Sequence, residues 1–131
     1  MTQPDDIADD ETVLRHVPGG TLWQAPGPRI TSANFQLRKD RQETGASVTR
    51  SAITSAGTLL QLVGGNPAAG SRVAAARVAD IRALGLCVVA RPVAEDPGHA
   101  EIQSGAASLD EHLTRKKLAN LFRLLAESPT A

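Results

Sequence analysis

Glycine and proline break this chain into short runs. Pro18-Gly19-Gly20, Pro26-Gly27-Pro28, Gly64-Gly65-Asn66-Pro67, Pro92 and Pro97-Gly98 interrupt it repeatedly. Proline removes a backbone donor and glycine weakens any helix or strand interior, so regular structure ends at each site. The chain is therefore read as a series of short elements, of which the helix after Ser108 is the firmest.

Read between the breakers, Thr12–Val17 predicts a first strand, with Val13 and Arg15 on one face and Leu14 and His16 on the other. Residues 29–37 predict a short strand leading into a turn that carries Phe35, and Ser47-Val48-Thr49 predicts another strand. A polar start, the stripe Leu59, Leu60, Leu62, Val63 and a closing glycine predict a helix over about 54–63. Residues 71–85 read as a strand over 72–78 and a short helical turn over 79–84, closed by Gly85; one helix through 72–84 is the competing reading. Leu86-Cys87-Val88-Val89-Ala90 is continuous and apolar, which predicts a strand buried on both faces with Cys87 as a small buried hydrophobe. His99–Gln103 predicts a further strand. Ser108 with Glu111 three residues on has the form of a capping box, and Leu118, Leu121, Phe122 and Leu125 recur at helical spacing, predicting a helix over 109–127.

Together these elements predict an α+β domain: a small mixed, partly antiparallel sheet of about five short strands, with two main helices packed on it. A length of 131 residues suits one domain, here expected over 12–131 and preceded by an acidic tail over 1–11. The tail holds Asp5, Asp6, Asp9, Asp10 and Glu11, while Arg29, Arg38, Lys39, Arg41 and Arg50 make the next region basic. Such a tail can shield a basic patch, but an acidic block of this kind more often stays solvated and unfolded.

Lys+Arg and Asp+Glu both number 14, so nothing draws the whole chain to a polyanion or an anionic membrane. Aromatic residues are only 2% of the chain, too few for the stacking platforms of a single-strand nucleic-acid binder. Nucleic acid and membrane are therefore not expected as partners. With no signal-like or spanning apolar run, the expected compartment is the cytoplasm.

Candidate chemistry is sparse. In His99-Ala100-Glu101 an imidazole and a carboxylate project from one strand face, which can bind a metal or share a proton. A deaminase-type zinc site needs paired thiolates, and Cys87 stands alone, so no metal and no cofactor is expected. Arg15-His16 on the first strand, facing Ser32 and Ser47, has the makings of a phosphate grip, because a guanidinium meets two oxygens at once. A loose likeness to ADP-ribosyltransferase pockets follows, by analogy of arrangement alone. On the last helix Arg115, Lys116 and Arg123 form a basic side that a protein partner could meet, although such a side is usually just solvated. No P-loop, dinucleotide fingerprint or hydrolase elbow occurs.

The strings Leu14-Arg15-His16-Val17-Pro18, Ile30-Thr31-Ser32-Ala33-Asn34-Phe35, Ser47-Val48, Asp80 through Leu86, and Asp96-Pro97-Gly98-His99-Ala100 follow one another in an order that resembles a group of small uncharacterised bacterial proteins. The resemblance implies one bacterial domain and brings no activity, cofactor or catalytic residue with it. It does mark Arg15, Ser32, Phe35, Ser47 and His99 as positions to test. The expected function is a non-enzymatic accessory or binding protein of a bacterial multi-protein system, with a protein partner or self-association. The alternative is a small nucleotide- or NAD-processing enzyme, with Arg15 on phosphate and His99 or Glu101 in proton or ribose chemistry. Convergence of Arg15, Ser32, His99 and Glu101 on one point would favour the enzyme.

Overall fold

The computed structural model describes residues 7–18, 22–23, 29–37, 43–64 and 72–124. Strands β1 (Thr12–Val17), β2 (Leu22–Trp23) and β3 (Arg29–Ile30) come first, then a turn of 3-10 helix at Ser32–Phe35 and strand β4 (Gly45–Arg50). Helix α1 (Ala56–Leu62), β5 (Arg72–Arg77), α2 (Val78–Ala83), β6 (Leu86–Ala90), β7 (His99–Ser104), α3 (His112–Leu121) and β8 (Arg123–Leu124) follow. Six strands form one sheet in the order β6-β7-β4-β1-β5-β8, and β2 and β3 form a separate ribbon. All the pairings are antiparallel. The α+β class is as the sequence predicts; the sheet has six strands rather than about five and is antiparallel throughout rather than mixed.

Alternation along the strands sorts side chains onto two faces. Val13, Val17, Ala46, Val48, Ala74, Ala76, Leu86, Val88, Ala100 and Ile102 build the main core with Phe35, Val78, Ile81, Leu109, Leu118 and Phe122. On the other face, among the described residues, α1 lays Leu59 and Leu60 on Leu14 and Val73. Ser55 caps α1 by accepting from the Thr58 amide. Gly64 ends it at φ +67°, and Gly85 turns α2 into β6 at φ +89°. Both angles lie in the left-handed region that glycine adopts without a Cβ penalty. The strand-then-turn reading of 72–84 is the one observed.

Several expectations need correction. Residues 7–11 do not form a loose tail. Ile7 is buried in the main core, the carbonyls of Asp9 and Glu11 accept from the amides of Ala79 and Val78, and Asp9 pairs with Arg82 at 2.6 Å. Glu11 takes the Arg50 guanidinium in both carboxylate oxygens, at 2.8 and 2.7 Å. Here an acidic side chain does shield one of the basic residues. Residues 1–6, Arg38, Lys39, Arg41 and the breakers at 26–28 and 65–67 lie outside the described residues, as do 125–127 of the predicted last helix.

That helix is shorter than its apolar period suggests. It begins at His112 and stops at Leu121, because Phe122 turns extended and Arg123–Leu124 joins the sheet beside β5. The capping box does not form: the Ser108 hydroxyl accepts from Asp110 two residues on, a local turn that competes with capping. β6 is a sheet edge, not a doubly buried strand. Leu86 and Val88 enter the core, whereas Cys87 points the other way and is exposed.

Candidate functional site

The sheet face that carries α1 holds a cleft of about 1180 Å³. Its floor is Leu14 and His16 of β1 with Gly45, Ser47 and Thr49 of β4; Leu59 and Leu62 of α1 and Val63 just after it form an apolar wall, and Glu43, Glu95 and His99 bring polar groups to the rim. Leu62 is 44% exposed and Val63 46% exposed. These are large aliphatic side chains left to water at the mouth of a concavity.

Arg15 also lines the cleft, but its head group is directed into the protein. Nε donates to Asn34 Oδ1 at 2.8 Å, one terminal nitrogen donates to the Ser47 carbonyl at 2.6 Å, and the other donates to the Asn34 carbonyl. The guanidinium carbon sits 4.9 Å from the centre of the Phe35 ring, a cation–π contact. Phe35 packs in turn on Phe122 with ring centres 5.2 Å apart. Arg15 thus ties β1, β4 and the 3-10 turn together. Its fork geometry suits two carbonyls and an amide oxygen as well as it would suit phosphate.

His16 sits half-buried in the floor. Burial holds its imidazole below the usual 6.5, with the nearby Arg15 charge acting in the same direction. Ser47 is exposed. His99 turns Nδ1 toward the Arg91 carbonyl at 2.8 Å. Glu101 takes a bond from Gln103 Nε2 at 3.1 Å, so His99 and Glu101, though on one strand face, make separate local contacts. Ser32 is outside the cleft, 3.5 Å from His112 Nδ1. Arg15, His16, Ser47 and His99 therefore share one cleft, and Ser32 and Glu101 are not among its lining residues. Of the basic trio, Arg115 donates to the Leu109 carbonyl at 2.7 Å, Lys116 is exposed, and Arg123 sits on β8 rather than on the helix. They do not form one basic helix face. Among the described residues no cluster of three metal-ligating side chains occurs, and no helix is long and apolar enough to cross a membrane.

The residue that sequence reasoning missed is Asp96. It is buried beside the cleft and accepts from Thr49 Oγ1 at 2.7 Å, Thr54 Oγ1 at 2.6 Å and the Gly98 amide at 3.1 Å. The signal was present: an Asp two residues before a Gly in a turn bonds forward to that amide. What the string Asp96-Pro97-Gly98 could not convey is that two hydroxyls, from Thr49 on β4 and Thr54 in the segment after it, would meet the same carboxylate.

No protein-family model matches the chain, and no curated protein or solved structure is significantly similar to it.

The charge arrangement makes a pH prediction. The folded Glu11 carboxyl is held below its usual 4.5, chiefly by the Arg50 hydrogen bonds. The depressed His16 value means that the unfolded chain binds a proton first as pH falls. Both groups therefore favour the fold at higher pH. Stability should decline as pH drops from about 6.5 through the lowered His16 value, and decline again from about 4.5 through the lowered Glu11 value. Urea midpoints across pH 3–8 test this. Glu11→Gln should flatten the acid limb while leaving the limb near neutrality; a Glu11→Gln profile parallel to the parent would refute the assignment.

Proposed function

We propose that this protein is a binding module, whose cleft receives a segment of a partner protein carrying aliphatic side chains and a basic residue. The observation that carries this reading is the apolar wall. Leu62 and Val63 are exposed yet line the concavity, and apolar surface gathered at a recess marks interaction sites more often than apolar residues scattered singly. Glu95 on the rim supplies negative charge, and the depressed pKa of His16 keeps that side chain from offsetting it near neutrality. The enzyme reading is less well supported. It needs Arg15 turned toward a ligand, and the Arg15 nitrogens bond Asn34 and Ser47 instead. It also gains from convergence of Arg15, Ser32, His99 and Glu101 on one point, and Ser32 and Glu101 do not line the cleft that Arg15 and His99 share. The accessory role in a bacterial multi-protein system and a cytoplasmic setting belong to the same proposal.

The test is a selection of displayed dodecamer peptides on the immobilised protein, followed by titration of the best binders into the isotope-labelled chain. Amide shifts should cluster at His16, Ser47, Leu62 and Val63, and selected peptides should combine Leu, Ile or Val with Lys or Arg. Leu62→Asp should fold normally, since an exposed substitution shifts stability by about 0.5 kcal/mol or less. It should weaken binding at least tenfold, or about 1.4 kcal/mol. In parallel, NAD, nucleotides and divalent metals are screened by thermal shift, where a ligand at about 100 times its Kd adds roughly 2.7 kcal/mol. A melting point raised by NAD or a nucleotide, with no peptide binding at the cleft, would overturn the proposal in favour of the enzyme.

A further inference from the structure

Two of the chain's three histidines stand in the cleft, and they come from different strands. His16 lies on β1 and His99 opens β7. Leu14 is opposite Thr49, and Thr49 is opposite His99. Residues opposite one another, and residues two apart on a strand, share a sheet face. Both imidazoles therefore rise from the face that carries α1, with β4 between them. The third, His112, is outside the cleft beside Ser32.

Each ring is held where a proton would change the cleft. His99 Nδ1 is 2.8 Å from the Arg91 carbonyl. A carbonyl can only accept, so Nδ1 carries the hydrogen and Nε2 is the nitrogen that gains or loses a proton. His16 is half-buried in the floor, and burial, with Arg15 next to it, makes its imidazolium costly. Among the described residues, the charged groups around the two rings are Arg15 beside His16, Glu43 before β4, Glu95 and Asp96 in the β6–β7 connection, and Arg91 and Glu101 beside His99. Arg91 and Glu101 are not lining residues of the cleft. Arg15 is turned to Asn34 and Ser47, and Asp96 to Thr49, Thr54 and Gly98; their charges are opposite and cancel. Glu43 and Glu95 then leave the lining with two negative charges when both imidazoles are neutral, and with no net charge when both are protonated.

We propose that His16 and His99 make ligand capture at the cleft depend on pH: a basic segment is held at neutral pH and released on acidification. This inference rests on the cleft being a binding site. Histidine is the side chain that ordinarily changes charge between about pH 5 and 8. Burial holds His16 below 6.5, so its charge arrives on the acid side of neutrality. Each proton adds a like charge near the ligand's Lys or Arg and offsets a carboxylate that attracts it. Proton and basic segment therefore compete for one cleft. Linkage makes the competition reciprocal: a proton weakens the ligand by the same factor by which the ligand weakens the proton.

The test uses the full chain and the tightest cleft-binding dodecamer that carries Lys or Arg. Its Kd, measured by calorimetry at pH 7.5, 6.5 and 5.5, should rise at least about fivefold toward acid. The same peptide with each Lys or Arg replaced by Gln should keep its Kd within about twofold over that range, which separates charge from any acid loosening of the fold. His16→Gln should lower the ratio of the Kd at pH 5.5 to that at pH 7.5. His16→Gln combined with His99→Gln should bring the ratio to about one, whatever the affinity at pH 7.5. Should the double variant not fold, the imidazole resonances of the parent decide: bound peptide should lower the titration midpoints of His16 and His99 and leave that of His112 in place. A Kd constant from pH 7.5 to 5.5 overturns this inference and leaves the binding module standing. So does a ratio that the double variant preserves, or one that the Gln-substituted peptide shares. Failure of any peptide to bind at pH 7.5 overturns the binding module and this inference together.

Discussion

Replacing Asp96 with alanine is expected to lower stability by about 3–4 kcal/mol, a large part of the 5–15 kcal/mol typical of a small domain. The carboxylate accepts from two hydroxyls and one amide. Hydrogen bonds to an ionised group contribute roughly 1.5–3 kcal/mol each. They are not additive here, because the Thr49 and Thr54 hydroxyls can rotate toward other acceptors, so the expected total lies below the simple sum. The burial of Asp96, Thr49 and Thr54 sets the direction, since donors left without an acceptor away from water are costly. Asp96→Asn keeps the shape and one acceptor oxygen, and should cost about 1–2 kcal/mol. Urea unfolding should show a lower midpoint with an unchanged slope. An alanine variant within about 1 kcal/mol of the parent would mean that the three bonds do not hold the β6–β7 connection to β4.

The consequence should extend to the cleft. Asp96 stands where the β6–β7 connection, the end of β4 and the segment leading to α1 meet. The Gly98 carbonyl accepts from Arg50, and the Thr54 amide donates back to the Arg50 carbonyl. Loosening this junction frees the start of α1, and with it the placement of Leu62 and Val63. The Asp96→Ala chain should therefore bind a cleft peptide more weakly even under conditions where it remains folded.

What was legible in the sequence depended on local signals. The first strand, α1 with its serine cap, the strand-then-turn at 72–84 and the strand at 86–90 follow from breakers, caps and alternation, which act within a few residues. The fate of Leu86–Ala90 was not legible. A short apolar run reads alike at the centre of a sheet and at its edge, and only the strand order β6-β7-β4 exposes Cys87. The end of α3 failed for a related reason. Phe122 and Leu125 keep helical spacing with Leu118, but pairing of Arg123–Leu124 with Ala74 and Ala75 redirects the backbone, and spacing along the chain carries no information about a waiting sheet edge. Residues 7–11 were misread because acidic composition outweighed Ile7, whose burial depends on α2 and the core lying beneath it.

The site residues divide in the same way. Residue type identified Arg15 as a position of consequence, since a guanidinium meets two oxygens at once. It did not identify the partners, because Asn34 and Ser47 lie 19 and 32 residues away in the chain. Phosphate and three carbonyl-type oxygens make the same demand on an arginine, and only the position of the 3-10 turn separates them.

That ambiguity makes Arg15 the sharpest remaining test. Arg15→Ala should cost about 3 kcal/mol, from hydrogen bonds to partly buried carbonyls, each of which loses a charged donor, and from the cation–π contact with Phe35. Arg15→Lys keeps the charge but not the fork; an ammonium cannot meet the Asn34 side chain, the Asn34 carbonyl and the Ser47 carbonyl in one plane, and a loss of about 1–2 kcal/mol is expected. Asn34→Ala should be coupled to Arg15→Ala, with the double variant less destabilised than the sum by at least about 1 kcal/mol. A phosphate-gripping arginine would behave oppositely. Such residues are strained or desolvated without their ligand, so its removal would leave the melting point unchanged or raised and would abolish nucleotide binding instead. If Arg15→Ala proves as stable as the parent, the internal clamp is not what holds β1, β4 and the 3-10 turn together. The case for a binding module over a nucleotide enzyme would then lose its main physical support.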